Sequence, residues 1–89
     1  MPTWELYANG RVQGVGFRYY VWKIASELGI KGYVQNQWDG TVKIVAQAEE
    51  HTLQTFHQIV SQGTKYAKVK ELQIYKLDSV EKYNDFEIR

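Results

Sequence analysis

Cysteine is absent from the sequence, so neither a disulfide framework nor a thiolate nucleophile is available. No apolar run approaches the roughly 20 residues that a membrane span requires. The opening residues Met1-Pro2-Thr3-Trp4-Glu5 lack the basic and apolar regions of a signal peptide. These absences lead us to expect a cytoplasmic protein with no membrane attachment. A charge excess is missing as well, because 11 Lys and Arg residues against 10 Asp and Glu residues leave a formal net charge of +1. Binding nucleic acid or an anionic membrane by general counterion release needs a basic surplus, so any anion site here has to be local. Internal repeats, low-complexity tracts and linkers do not occur. A chain of 89 residues buries only about 60–65% of its unfolded surface and can build one compact core. Residues 1–89 are therefore expected to form one domain.

The patterning that is present reads in order along the chain. Between Trp4 and Val12, Trp4, Leu6, Ala8 and Val12 share one parity and Glu5, Tyr7, Asn9 and Arg11 the other, which is the period of a half-buried strand. Phe17, Val21, Ile24 and Leu28, with Ala25 beside them, then recur at helical steps up to a stop at Gly29. Ile30–Asn36 and Thr41–Ala48 read as strands joined through Gln37-Trp38-Asp39-Gly40, where Asp-Gly signals a hairpin. Glu49-Glu50 open a second helix with an inner stripe of Leu53, Phe56 and Val60, flanked by Ile59 and ended by Gly63. Val69–Leu77 reads as a fourth strand; the parity break between Val69 and Leu72 predicts a bulge near Lys70. Asp78–Asp85 reads as a polar loop, and Phe86 and Ile88 as a short extended end. The order βαββαβ predicts an α+β, ferredoxin-like two-layer sandwich, with two helices on one face of an antiparallel sheet.

Within this plan one stretch stands out. Gly10-Arg11-Val12-Gln13-Gly14-Val15-Gly16-Phe17-Arg18 runs a strand into a glycine-bearing turn and directly into a helix. The first N–H groups of a helix have no intrahelical partner and lie at the positive end of its dipole. Glycines let neighbouring amides converge, and an early arginine adds a planar fork suited to two phosphate oxygens. The stretch can thus cradle a phosphoryl-sized anion, although the same spacing also fits a plain strand-to-helix turn with a solvated arginine. It is not a Walker loop, which ends in Gly-Lys-Ser/Thr, nor a dinucleotide fingerprint, whose third glycine is replaced here by Tyr19. If Val34 points inward, Asn36 shares its parity and faces the helices at its strand's end, on the side where Arg18 begins its helix. Alone, such an asparagine also fits a turn-forming role.

The same nine residues resemble the first signature of the acylphosphatase family. Gly32-Tyr33-Val34-Gln35-Asn36 followed by Asp39-Gly40-Thr41-Val42 resembles its second, and the likeness spans essentially the whole chain. What the resemblance implies is hydrolysis of the carboxyl–phosphate bond of acyl phosphates to a carboxylate and inorganic phosphate, with product inhibition. It implies two catalytic residues, Arg18 and Asn36. Arg18 and the backbone amides of Gln13, Gly14, Val15, Gly16, Phe17 and Arg18 would hold the phosphate, while Asn36 would position the attacking water. No metal, cofactor or nucleic acid is implied, and a monomer is expected. An acyl phosphate already carries a good leaving group, so positioning and charge stabilisation suffice without a nucleophile.

Several residues depart from the family's pattern: Ala8 where a larger aliphatic is usual, Ala48 where glycine is usual, and Tyr33 and Gln35 for tryptophan and a basic residue. His51 and His57 are six apart, on different faces of a helix, and are expected at the surface rather than in a metal or catalytic site. Two rival readings exist. The βαββαβ order also serves RNA-recognition domains, for which Tyr7 and Tyr33 could supply an aromatic face, but no aromatic RNA-binding signature is present. Similar domains also begin larger hydrogenase-maturing proteins that act on carbamoyl phosphate, whose zinc-binding and transfer modules this sequence lacks.

Overall fold

A computed structural model describes residues 1–78 and 81–89. Strand β1 (Thr3–Arg11) leads into helix α1 (Phe17–Glu27), strands β2 (Lys31–Asn36) and β3 (Val42–Gln47), helix α2 (Glu50–Ser61), strand β4 (Lys68–Leu77) and strand β5 (Phe86–Ile88). Alternation does the local work. Trp4, Leu6 and Ala8 of β1, Val34 of β2, and Val42, Ile44 and Ala46 of β3 all point to one side and are buried there. Phe17, Val21 and Ala25 of α1 and Leu53, Phe56 and Val60 of α2 cover that side. On α1 the buried stripe runs in steps of four; Ile24 and Leu28, expected on it, flank it and are only partly buried. At the end of α1, Gly29 N–H donates to Ser26 O and Ile30 N–H to Ala25 O, closing the last turn at the expected glycine.

The sheet order is β4-β1-β3-β2-β5. The first four strands pair antiparallel, as expected. The terminal segment adds something the alternation could not show: β5 pairs parallel to β2, with Gly32 opposite Phe86 and Val34 opposite Ile88, making a mixed five-stranded sheet. The chain after β4 crosses to the opposite edge, so its last strand arrives in the direction of β2. The bulge near Lys70 is present, since pairing steps from Asn9–Glu71 to Gly10–Val69 and leaves Lys70 unpaired. Of the expected loop, Asp78 and residues 81–85 have no regular structure, while Ser79 and Val80 lie outside the described residues.

The sheet face away from the helices is not a simple solvated surface. Val45 and Gln47 alternate with the inward residues of β3 and lie on this face, yet both are buried. For Gln47 the returning chain is the reason. Gln47 Nε2 donates to Glu81 O at 2.8 Å, Tyr83 N–H donates to Gln47 Oε1 at 3.3 Å, and the Tyr83 ring stands against Tyr33 with centroids 6.1 Å apart. Gln47 Nε2 also donates to Thr3 Oγ1 at 3.0 Å, so this buried amide has partners on two sides.

Candidate active site

Leaving β1, the chain turns through residues 12–16 and enters α1. Gly14 and Gly16 hold φ angles of 73° and 78°, and Gly16 is the N-cap residue of α1. A Cβ at either position would meet nothing within 4 Å, so backbone conformation, not space, demands glycine. The first helical bond runs from Tyr20 N–H to Gly16 O at 3.1 Å. The N–H groups of the preceding first turn have no intrahelical acceptor. Nor are they otherwise neutralised: the N-cap makes no side-chain hydrogen bond and the first turn holds no acidic residue. The positive end of α1 is left uncompensated.

Arg18 lies in that first turn. Its Nη1 donates to the main-chain oxygen of Arg89 at 2.7 Å, which ties the helix start to the chain beyond β5. Among the described residues no carboxylate side chain pairs with it. A guanidinium has five donors, so most of the fork is uncommitted. Facing it, Asn36 ends β2 opposite Val42 of β3 and shares the inward parity of Val34. Its Oδ1 is buried and has no hydrogen-bond partner. Leaving such an acceptor unpaired costs about 1–3 kcal/mol, which calls for a ligand or water to complete it.

Gly14, Gly16, Phe17, Arg18 and Asn36 line one cleft of about 270 Å³, with Val12 also in its wall. Phe17 is 1% exposed and is anchored in the core, so only its backbone is available there. Tyr19 and Ile88, exposed at 60% and 44%, form the lip. The Tyr19 ring rests on Trp22, centroids 5.7 Å apart. Gln13 and Val15 do not line the cleft. Val15 packs partly buried against the core, and the Gln13 side chain turns away to the β2–β3 hairpin. Sequence reasoning did not find Tyr19, Ile88 or the Arg18–Arg89 bond. Only Ile88 had left a signal, its parity with Phe86.

The residues considered for other chemistry are engaged elsewhere. His51 is exposed, with Nδ1 3.5 Å from Glu49 Oε2. His57 is half-buried rather than at the surface, its Nε2 2.9 Å from Leu72 O, so α2 is bonded to β4 there. Among the described residues no group of three or more His, Cys, Asp or Glu could hold a metal ion, and no helix is long and apolar enough to cross a membrane. The tyrosines of the open face are taken up too. Tyr7 donates to Glu5 Oε1 at 2.9 Å, and the Arg89 guanidinium covers the Tyr33 ring at 4.0 Å, where a stacking base would have to lie.

Fold and cleft together define a class of small α+β proteins in which a glycine turn, an uncompensated helix start and an arginine gather beside one strand end. Residues 4–88 match the family model described as Acylphosphatase, and the chain belongs to the acylphosphatase family. It is 48% identical over 88 residues to a protein named acylphosphatase from Archaeoglobus fulgidus, covering 99% of this chain and 98% of the relative. The crystal structure of acylphosphatase from Bacillus subtilis superposes with a TM-score of 0.96 at 37% identity, covering 100% of this chain and 99% of the other. A full-length HypF in its phosphate- and nucleotide-bound form also contains the fold, with a TM-score of 0.87 at 30% identity, but this chain covers only 12% of it.

Proposed function

We propose that this protein hydrolyses acyl phosphates, with Arg18 and the amides of the Gln13–Arg18 turn holding the phosphoryl group and Asn36 positioning the water. Family membership and relatives named acylphosphatase support the reaction. The observation that carries the assignment of residues is the buried, unpartnered Oδ1 of Asn36 in the wall of the same cleft as an uncompensated helix start. The carbonyl oxygen of Asn36 does not bind a phosphate oxygen, but it accepts a hydrogen bond from water, which keeps its proton, and so aims the water's lone pair across the cleft. The phosphoryl oxygens meet the opposite wall, where amide donors and the Arg18 fork stabilise the charge that develops during transfer. The carboxylate leaves without needing an acid, because it is already a stable anion. The reaction is therefore assigned to fixed donors acting without a metal.

The test is hydrolysis of benzoyl phosphate by the purified protein, with and without excess chelator. Equal, substantial rates are expected. Absence of hydrolysis overturns the reaction, and loss of rate on chelation overturns its metal independence.

A further inference from the structure

We infer that Gln13 acts through its side chain as a positioning residue, holding the phosphate turn in register with Asn36. The inference rests on the roles proposed above for the turn and for Asn36. In the sheet, β3 stands between β1 and β2. The strand that delivers the turn and the strand that carries Asn36 are therefore about 9–10 Å apart, at two inter-strand spacings, and no ladder joins them. Val42 of β3 pairs with both Ala8 of β1 and Asn36 of β2 and so sets the spacing of the strands, but the β1–β3 ladder ends at Ala8, and the turn at residues 12–16 needs a further tie to the Asn36 wall.

Gln13 Nε2 donates to Gln37 O at 2.6 Å and to Thr41 O at 2.8 Å. Among the described residues these are the only hydrogen bonds from the turn to the hairpin. The two carbonyls also close the hairpin itself, since Gln37 N–H donates to Thr41 O at 2.8 Å and Gly40 N–H donates to Gln37 O at 3.2 Å. One side-chain amide thus spans the hairpin's mouth and uses both of its hydrogens there. Along the chain, Gln37 directly follows Asn36, and Gln13 directly precedes Gly14 of the cleft wall. A single bonded group therefore links the peptide next to the proposed water-positioning residue with the peptide entering the proposed phosphate turn. The Gln13 side chain does not line the cleft and is bonded to the hairpin instead, so its effect has to pass through geometry. Misplacing reacting groups by about 1 Å costs roughly a hundredfold in rate.

The experiment is a double-mutant cycle on benzoyl phosphate turnover, using wild type, Gln13→Met, Asn36→Ala and the double variant, with inhibition by inorganic phosphate and melting temperature measured on each. Methionine keeps the length of the side chain and removes both donors. Gln13→Met is expected to lower kcat about tenfold or more while phosphate affinity stays near wild type, because phosphate needs only the turn wall. In the Asn36→Ala background the same substitution is expected to cost little further, since the residue it positions is gone. An equal loss in both backgrounds, or a lowered melting temperature with turnover per folded molecule intact, overturns the inference and leaves Gln13 a structural staple. Wild-type turnover in Asn36→Ala overturns the Asn36 assignment itself, and this inference with it. Gln13→Glu gives a second readout should Gln13→Met fail to fold. When protonated it regains one donor; when ionised it sets a carboxylate against two carbonyl oxygens. Its kcat should rise as pH falls towards the carboxyl range, relative to wild type, and a parallel profile overturns the inference.

Discussion

The two walls of the cleft have opposite hydrogen-bonding imbalances. On the turn wall donors are in surplus: the start of α1 has no side-chain cap and no acidic residue, and Arg18 commits one arm to the Arg89 main chain. On the strand wall an acceptor is in surplus, the buried Oδ1 of Asn36. Donor surplus suits an anion and acceptor surplus suits a neutral proton donor such as water. Affinity for phosphate and speed of turnover should therefore be separable by substitution.

The largest effect is expected from Arg18→Ala. An arginine that neutralises a transferring phosphoryl group is worth about a thousandfold or more in turnover, and its charge-assisted bonds about 1.5–3 kcal/mol in ground-state binding. Both kcat/KM for benzoyl phosphate and inhibition by inorganic phosphate should fall. Arg18→Lys should recover only part of either, because a point charge does not reproduce the fork. Phosphate affinity unchanged in Arg18→Ala would take the guanidinium out of the turn wall.

Asn36→Ala comes next and sharpens the contrast. Turnover should fall roughly a hundred- to a thousandfold with phosphate affinity close to wild type. Because Oδ1 has no partner to lose, the melting temperature should hold or rise as a buried polar atom is removed. A residue that merely shaped the hairpin would give the reverse, lower stability with activity per folded molecule retained. Measuring all three quantities on one preparation decides between them.

The smallest effect concerns the hairpin that carries the strand wall. Thr41 donates its N–H to Asp39 Oδ1 at 3.0 Å and its hydroxyl at 2.7 Å, and these bonds hold the Asp39 carboxyl below its ordinary value. A pKa lowered by folding contributes stability that is complete above the ordinary aspartate value and is lost as pH falls through the depressed one. Melting curves taken from about pH 5 downward should therefore show a slightly steeper acid decline in wild type than in Asp39→Asn. Superimposable curves would remove Asp39 from the hairpin's stability.

Much of this architecture could be read in advance because it follows from local periodicities. Leu53, Phe56 and Val60 recur at helical steps and are the buried residues of α2. Asp39-Gly40 marked the hairpin, and the parity break after Val69 marked the bulge at Lys70. The inward aim of Asn36 followed from Val34, two residues before it. The burial of Gln47 and the half-buried place of His57 have one shared reason. Each is governed by a segment distant in sequence: residues 81 and 83 for Gln47, Leu72 for His57. Parity assigns a side chain to a face, but not what later covers that face.

The sequence by itself determined the order of elements, the glycine turn opening into α1 with Arg18 in its first turn, and the face on which Asn36 lies. Each of these is a property of a few neighbouring residues and of the backbone repeat they follow. Only the tertiary structure decided that β3 separates the two strands leading to the cleft, that β5 joins β2 in parallel and brings Ile88 to its lip, and that Gln13 bridges to Gln37 and Thr41. Strand neighbours are chosen when the whole chain closes around one core, and an amide side chain shows in no periodicity which distant carbonyls it will meet.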